Sequence, residues 1–279
     1  IMTKKVWLIT GASKGIGLAV AKFLLKQGDS VIATSRNEKR LIEKISSETD
    51  NFLPLKLDIT NKNDAFEAIK TGVKKFKKID VLVNNAGYLQ AGSLEDTSNE
   101  EIRSVFEVNV LGTINMIKAV IPEMRKQGNG HIINTSSIAS IRSMAYETIY
   151  SLTKFAVNGL SSGLHEEVKR FNIKVTNVLP GFIRTEFLED TSYKIANIEN
   201  SVYDYKEGLK FLKQMNGRQN GNPLKIGEIY RTLVEMENPP IELMIGTDAV
   251  DIAIKYSNER IKNTKRYKEL SELAEFTFE

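Results

Sequence analysis

The first 180 residues of this chain switch repeatedly between two hydrophobic periodicities, and that alternation leaves few folds open. Short, nearly unbroken apolar runs occur at Val6–Thr10, Ser30–Ser35, Phe52–Asp58, Ile79–Asn84, His131–Ser136 and Lys174–Leu179. Runs of this kind suit strands buried on both faces, and burial on both faces belongs to parallel sheets. Between them lie amphipathic stretches at Gly15–Gly28, Glu38–Glu48, Lys62–Lys77, Asn99–Gln127 and Thr148–Phe171. In the first of these, Ile16, Val20, Phe23 and Leu24 share one helical face. Strand and helix in strict alternation predict βαβ crossovers, hence one doubly wound α/β sheet with helices on both faces. Ile241–Ile245, behind Pro239-Pro240, supplies a seventh strand. Residues 186–222 carry scattered Phe187, Tyr193, Tyr203, Tyr205 and Phe211 without a clear strand and read as a helical lid. Residues 247–279 read as an extended, lysine-rich helical tail with a solvated face, and residues 1–279 as a single domain.

The first run leads directly into Thr10-Gly11-Ala12-Ser13-Lys14-Gly15-Ile16-Gly17, and a helix follows. Glycine at Gly11, Gly15 and Gly17 lets the backbone turn sharply and lets a pyrophosphate approach its N–H groups at the positive end of that helix. The order Gly-x-x-x-Gly-x-Gly differs from the commoner Gly-x-Gly-x-x-Gly, but its place between the first strand and a helix is that of a Rossmann-type dinucleotide turn. An acid about 20 residues further on would bind a ribose 2′-hydroxyl. This chain has Thr34-Ser35-Arg36-Asn37 there instead. Arg36, with Lys14 in the turn, suits a 2′-phosphate, so the expected cofactor is NADP(H).

Tyr150 and Lys154 are four residues apart in a helical pattern and share one face. An ordinary phenol titrates near pH 10, too high for efficient acid–base work near neutrality. An ammonium within about 5 Å would favour phenolate by roughly 3 kcal/mol, about two pKa units. Tyr146 has no equivalent lysine partner. The fifth apolar run ends in Asn134-Thr135-Ser136-Ser137 and the fourth in Asn84-Asn85-Ala86-Gly87. Both ends lie on the sheet edge where open α/β folds bind ligands, and a serine hydroxyl there could donate to a substrate oxygen.

Other chemistries fit poorly. With no cysteine the chain has no disulfide framework, thiolate metal site or cysteine nucleophile. His131 and His165 are not grouped with carboxylates at ligand spacing, so no metal is expected. Thirty-nine basic against 35 acidic side chains leave only +4, which argues against a nucleic-acid partner. There is no run of about 18 apolar residues to span a membrane, and the apolar stretch behind Lys4-Lys5 is too short for a signal-peptide core. A cytoplasmic protein acting on a small molecule is the expectation.

Taken together, these motifs resemble the short-chain dehydrogenase/reductase family over most of residues 3–185. The resemblance implies that Ser137, Tyr150 and Lys154 are the catalytic serine, tyrosine and lysine. Ser137 is preferred to Ser136 because the family places its serine thirteen residues before the tyrosine. It implies that Asn109, in Val108-Asn109-Val110, is a catalytic asparagine holding a relay water. It places Gly11, Ser13, Lys14, Gly15, Ile16 and Gly17 against the cofactor phosphates. Asp58 and Ile59 would contact adenine, and Asn85, Ala86 and Gly87 would lie along the cofactor. Pro180, Gly181, Ile183 and Thr185 match the segment that fixes the nicotinamide carboxamide. The implied activity is NADPH-dependent reduction of a carbonyl to an alcohol, in a homo-oligomer paired through the helices at Asn99–Gln127 and Thr148–Phe171. The apolar lid favours a hydrophobic ketone. A 3-oxoacyl-carrier-protein reductase, docking its carrier on the lysine-rich tail, is an alternative. A non-catalytic NADP(H) sensor is another.

Overall fold

The computed structural model describes residues 3–45, 49–189 and 192–275, so residues 46–48 of the second expected helix and residues 276–279 of the tail lie outside the described residues, as does the side chain of Phe211. In chain order the strands are β1 (Val6–Ile9), β2 (Ser30–Ser35), β3 (Phe52–Lys56), β4 (Val81–Asn84), β5 (Leu89–Ala91), β6 (Gly130–Thr135), β7 (Ile173–Pro180), β8 (Tyr193–Ile195) and β9 (Glu242–Ile245). The α-helices are α1 (Gly15–Lys26), α2 (Glu38–Ile45), α3 (Lys62–Phe76), α4 (Asn99–Phe106), α5 (Thr113–Gln127), α6 (Thr148–Val168), α7 (Lys206–Met215), α8 (Pro223–Glu235), α9 (Thr247–Arg266) and α10 (Lys268–Glu272).

Seven strands form one parallel sheet in the order β3-β2-β1-β4-β6-β7-β9. Side chains alternate across it. Leu8, Ile32, Leu82, Ile132 and Val175 face the layer of α3, α5 and α6. Their neighbours Trp7, Ile9, Val31, Val83, Ile133 and Val178 face α1 and α8. Burial on both sides is why each strand reads as a continuous apolar run. The chain moves outward through β2 and β3, then returns to the other side of β1 with β4. That reversal opens a crevice beyond the C-terminal ends of β1 and β4, where such sheets bind ligands.

Local chemistry sets the helix ends. Asn61 caps α3 by accepting from the Asn63 N–H at 2.9 Å. Ser98 and Glu101 form a reciprocal capping box on α4, and Gly128, at φ 73°, ends α5 in the left-handed region. The stretch expected as one helix from Asn99 to Gln127 is continuous, but residues 107–112 widen into a π-helical turn that carries Asn109. By length and composition this 29-residue stretch could cross a bilayer, with a mean hydropathy of 1.4 over its most apolar 18 residues. Half of the apolar window is buried within the protein, as for a core helix.

The lid is less helical than its sequence suggested. The described residues of 186–222 contain a short 3₁₀ turn at Glu186–Leu188, strand β8 and helix α7. β8 pairs in parallel with β5, Leu89 opposite Tyr193 and Ala91 opposite Ile195. Three-residue strands are too short to show a period of two, and their partner lies about a hundred residues away.

Candidate active site

A cavity of about 620 Å³ occupies the crevice at the sheet reversal. The glycine turn forms one wall. Gly11 and Gly15 have φ of 65° and 57°, a region other residues rarely adopt. A Cβ at Gly17 would lie 2.6 Å from Asn85 Nδ2 and 2.7 Å from the Gly11 carbonyl. The turn is braced from β4: Asn85 Nδ2 donates to the Thr10 carbonyl at 3.0 Å, and Thr10 Oγ1 accepts from the Asn85 and Ala86 N–H groups, both at 3.0 Å. The Asn85 amide therefore shapes the turn, although the residue also lines the cavity. α1 starts with no acidic residue in its first turn and no side-chain cap, so its N-terminus presents uncompensated positive potential to the cavity. These features fit a pyrophosphate.

Gly11, Ser13, Lys14, Gly15, Ile16 and Arg36 line this end of the cavity. Gly17 does not; it acts through the close approach behind the turn. Ser13 Oγ accepts from Ser35 Oγ at 3.1 Å. Burial pushes Lys14 below its ordinary pKa, and the charges of Arg40 and Arg36 push it further, against Glu186 and Glu189. Arg40 is thus a third base beside Lys14 that motif reading missed, because it sits inside α2, beyond the loop that motif inspects. Asp58 and Ile59 line the adjoining wall, and Asp58 Oδ1 accepts from the Thr60 N–H and Oγ1 at 3.0 and 2.8 Å.

Across the crevice, Pro180, Gly181, Ile183 and Thr185 complete the enclosure. A Cβ at Gly15 would stand 3.7 Å from that of Thr185, so the glycine turn and this segment nearly touch. Asp248, in the first turn of α9, accepts from the Phe182 N–H at 2.6 Å, and a Cβ at Gly181 would meet its carboxylate at 2.2 Å. No sequence motif pointed to Asp248; its contact is made from 66 residues away.

Ser137, Tyr150 and Lys154 meet on the same cavity wall. Ser137 follows β6, caps a short 3₁₀ turn and lies beside the Tyr150 phenol. Lys154, one turn after Tyr150, donates to the Thr135 carbonyl at 2.9 Å, with Nζ 5.6 Å from the phenol ring centre. Ser136 is buried and bonded to Ser140, the Lys154 carbonyl and Asn158, so its hydroxyl is occupied in packing. The electrostatics differ from the expectation of a lysine-lowered phenol. Burial dominates and pushes Tyr150 above the ordinary tyrosine range, the neighbouring Ser137 hydroxyl opposes it, and the Glu147 charge reinforces it. Burial lowers Lys154 to about 8. The loss of hydration outweighs the attraction between the two groups.

Asn109 sits outside the cavity lining. Its Oδ1 accepts from the Tyr88 N–H at 3.0 Å, and its Nδ2 donates to the Tyr88 carbonyl at 2.9 Å and Thr153 Oγ1 at 3.1 Å. It clamps the segment after β4 to α6. His131 is buried at the start of β6 with Nε2 2.9 Å from Thr176 Oγ1, and His165 lies on α6. Among the described residues no group of three His, Asp or Glu is placed to hold a metal.

Glu147 is a further cavity residue that the motifs did not mark. Burial alone raises its carboxyl to about 7. Because the folded pKa lies above the unfolded value, stability is greatest below about pH 4.5 and falls as pH rises through 7. The ionised carboxylate costs about 3 kcal/mol at pH 8. Glu147→Gln should therefore raise the melting temperature clearly at pH 8 and little at pH 5. A variant no more stable than the parent at pH 8 would show that the carboxylate is compensated.

A family model described as short chain dehydrogenase matches residues 5–195. Oxidoreductase BOA17 of Botryotinia fuckeliana is 35% identical over 270 residues, covering 96% of this chain and 98% of that protein. A 3-ketodihydrosphingosine reductase of Bacteroides thetaiotaomicron is 36% identical over 247 residues, covering 88% and 89%. The crystal structure of a short-chain dehydrogenase from Streptomyces avermitilis superposes with a TM-score of 0.89 at 33% identity, covering 99% and 100%. ElxO with NADP bound superposes with a TM-score of 0.73 at 32% identity, covering 89% and 100%. The sheet order, the glycine turn at its reversal and these matches agree: the chain belongs to the short-chain dehydrogenase/reductase family.

Proposed function

We propose that this protein is an NADP(H)-dependent reductase that converts a hydrophobic ketone to a secondary alcohol. The observation that carries this reading is the convergence of Ser137, Tyr150 and buried Lys154 on one wall of the crevice that the glycine turn opens. Arg40 and Arg36 lie close enough for their charges to lower the Lys14 pKa, and the end of β2 offers Thr34 and Ser35 where an acid would repel a 2′-phosphate. The NADP bound to the ElxO neighbour supports the same cofactor here.

When bound, the reduced nicotinamide supplies the hydride. The protein's groups handle the oxygen. Ser137 orients the carbonyl oxygen and Tyr150 gives it a proton. The raised phenol pKa keeps that proton in place until charge develops on the substrate. Lys154, fixed by Thr135, holds positive charge beneath the phenol, and Asn109 positions the Tyr88 segment opposite. Phe187, with its ring 6.3 Å from that of Tyr150, shields the site from water. The name of the Bacteroides relative, a ketone reductase, supports this direction and substrate class. A cytoplasmic homo-oligomer completes the reading. Leu111, Leu152 and Phe155 are exposed apolar side chains on the two helical stretches through which the family resemblance implies pairing.

The test is NADPH consumption with a panel of ketones and aldehydes; binding of NADPH without turnover of any of them would favour the sensor alternative. Arg36→Asp should weaken NADPH by tenfold or more relative to NADH, since it places a negative charge beside the 2′-phosphate (about 1.4 kcal/mol per tenfold). Equal Michaelis constants for NADPH and NADH in the parent would contradict the basic-cluster argument.

A further inference from the structure

The structure assigns Glu147 a role beyond carbonyl reduction itself. We propose that it selects substrates carrying a primary ammonium close to the reacting carbonyl and an apolar chain beyond, that is, amino ketones. The proposal rests on the reductase reading above.

Glu147 is the residue before α6, one turn ahead of Tyr150, so the two side chains share a helical face about 5–6 Å apart at their Cβ atoms. Its side chain makes no capping hydrogen bond to the first turn of α6. It is only 7% exposed and faces the same cavity as Tyr150. None of the side-chain hydrogen bonds or ion pairs among the described residues involves it. The basic side chains lining the cavity nearby have other partners. Lys154 donates to the Thr135 carbonyl, Arg142 lies over the Tyr256 ring at 5.0 Å, and Lys194 lies over Tyr88 at 4.6 Å. A buried carboxylate without a counterion is costly, and a ligand ammonium would remove that cost.

The backbone holds Glu147 in place by an unusual conformation. Tyr146, immediately before it, has φ of 67°, rare for a bulky residue. That conformation is secured three ways. The Tyr146 carbonyl accepts from the Gly92 N–H at 2.8 Å, its hydroxyl donates to the Asp204 carbonyl at 2.9 Å, and its ring stacks on Tyr205 at 4.4 Å. Behind the cavity wall the buried Tyr193 hydroxyl has no hydrogen-bond partner among the described residues; burial raises its pKa, and the Glu147 charge adds to the effect. The Glu147 carboxylate, which lines the cavity, suits an ammonium, which can donate three hydrogen bonds. Around it Leu89, Met144, Phe187, Leu188 and Leu212 give the cavity an apolar lining for an alkyl chain. The spacing of Glu147 and Tyr150 places the ammonium within one or two carbons of the carbonyl.

Calorimetric titration of the NADP⁺-loaded protein with octylamine and with 1-octanol tests recognition apart from turnover. The parent should bind the amine on the order of tenfold more tightly, and Glu147→Gln should bring the two within about twofold. Equal affinities in the parent, or a preference that survives in the variant, would overturn the proposal. Turnover of 1-aminooctan-2-one against octan-2-one supplies the second arm, with the ratio of kcat/KM expected to fall on the order of tenfold in Glu147→Gln. Reduction of octan-2-one with no preference for its amino analogue overturns the Glu147 assignment and leaves the reductase reading intact. Selective amine binding without reduction of any carbonyl compound does the reverse.

Discussion

Tyr150→Phe should lower ketone reduction by roughly a hundred- to ten-thousand-fold while leaving NADPH binding close to that of the parent. The substitution removes one oxygen and keeps the ring, so the packing of Tyr150 with Leu89, Ala91 and Ala139 is preserved. The phenol is buried beside Ser137, whose hydroxyl accepts from the Ala139 N–H at 3.1 Å and so retains a partner. Stability should therefore change by less than about 1 kcal/mol. What disappears is the proton donor, and no other group on that wall can replace it. Lys154 Nζ is held against the Thr135 carbonyl, and Ser137 is a much weaker acid than a phenol. Stopped-flow NADPH oxidation with a reactive ketone, paired with fluorescence titration of NADPH, separates the two effects. A variant within tenfold of the parent in kcat would remove Tyr150 from the proton step. Loss of NADPH binding in parallel would instead give the hydroxyl a role in shaping the cofactor cradle.

How much of this site was readable in the sequence depends on how far each group's partners lie along the chain. The glycine turn is local: three glycines within seven residues, a strand before and a helix after, state its geometry directly. The pairing of Tyr150 with Lys154 is local too, since helical spacing alone brings them to one face. The sheet follows from the same logic, because strands buried on both sides are written as continuous apolar runs. Glu147 and Asp248 lack any such signature. A glutamate before a helix reads as an ordinary N-terminal acid, and only the enclosing lid, with Tyr205 packed on Tyr146 from 59 residues along the chain, makes it a buried one. Asp248 acts on a segment 66 residues away. The phenol's titration was misjudged for a related reason. Helical spacing gives the distance between two charges but says nothing of how much water the fold removes from both.

The lid aromatics divide along the same line. Tyr203 and Tyr205 pack against Tyr146 on the outer side, and Tyr205, Ser201 and Ser93 all donate to Asp96, which holds its carboxyl below the usual range. Phe187 and Tyr193 instead pack around Tyr150. Aromatic residues of similar composition thus serve two purposes, anchoring the lid and packing around the phenol, with Phe187 lining the cavity. Only the pairing of β5 with β8 decides which side each one faces.

The largest expected loss of stability lies away from the cavity, at the ion pair between Arg231 on α8 and Asp29 in the turn before β2. Asp29 is fully buried and Arg231 nearly so. The same carboxylate accepts from the Lys5 N–H at 3.0 Å, and the Asp29 carbonyl accepts from Asn51 Nδ2 at 2.7 Å. One residue thus joins β1, the entry to β3 and α8. α8 in turn packs closely on α1, where a Cβ at Gly227 would come within 2.7 Å of Phe23, and α1 carries the glycine turn at its other end. Arg231→Met keeps most of the side-chain volume but leaves Asp29 as a buried charge, at a cost of about 3–5 kcal/mol. For a chain of this size that corresponds to a drop in melting temperature of order 10 °C. Adding Asp29→Asn removes the stranded charge while keeping an acceptor for Lys5, so the double variant should be more stable than Arg231→Met alone, with a coupling of at least about 1 kcal/mol. Thermal or denaturant unfolding of the four proteins closes the cycle. If the two substitutions simply add, the charge is not stranded and the pair is dispensable. If they couple, the support behind the dinucleotide turn is electrostatic as well as apolar, and NADPH should protect Arg231→Met against unfolding in proportion to its occupancy.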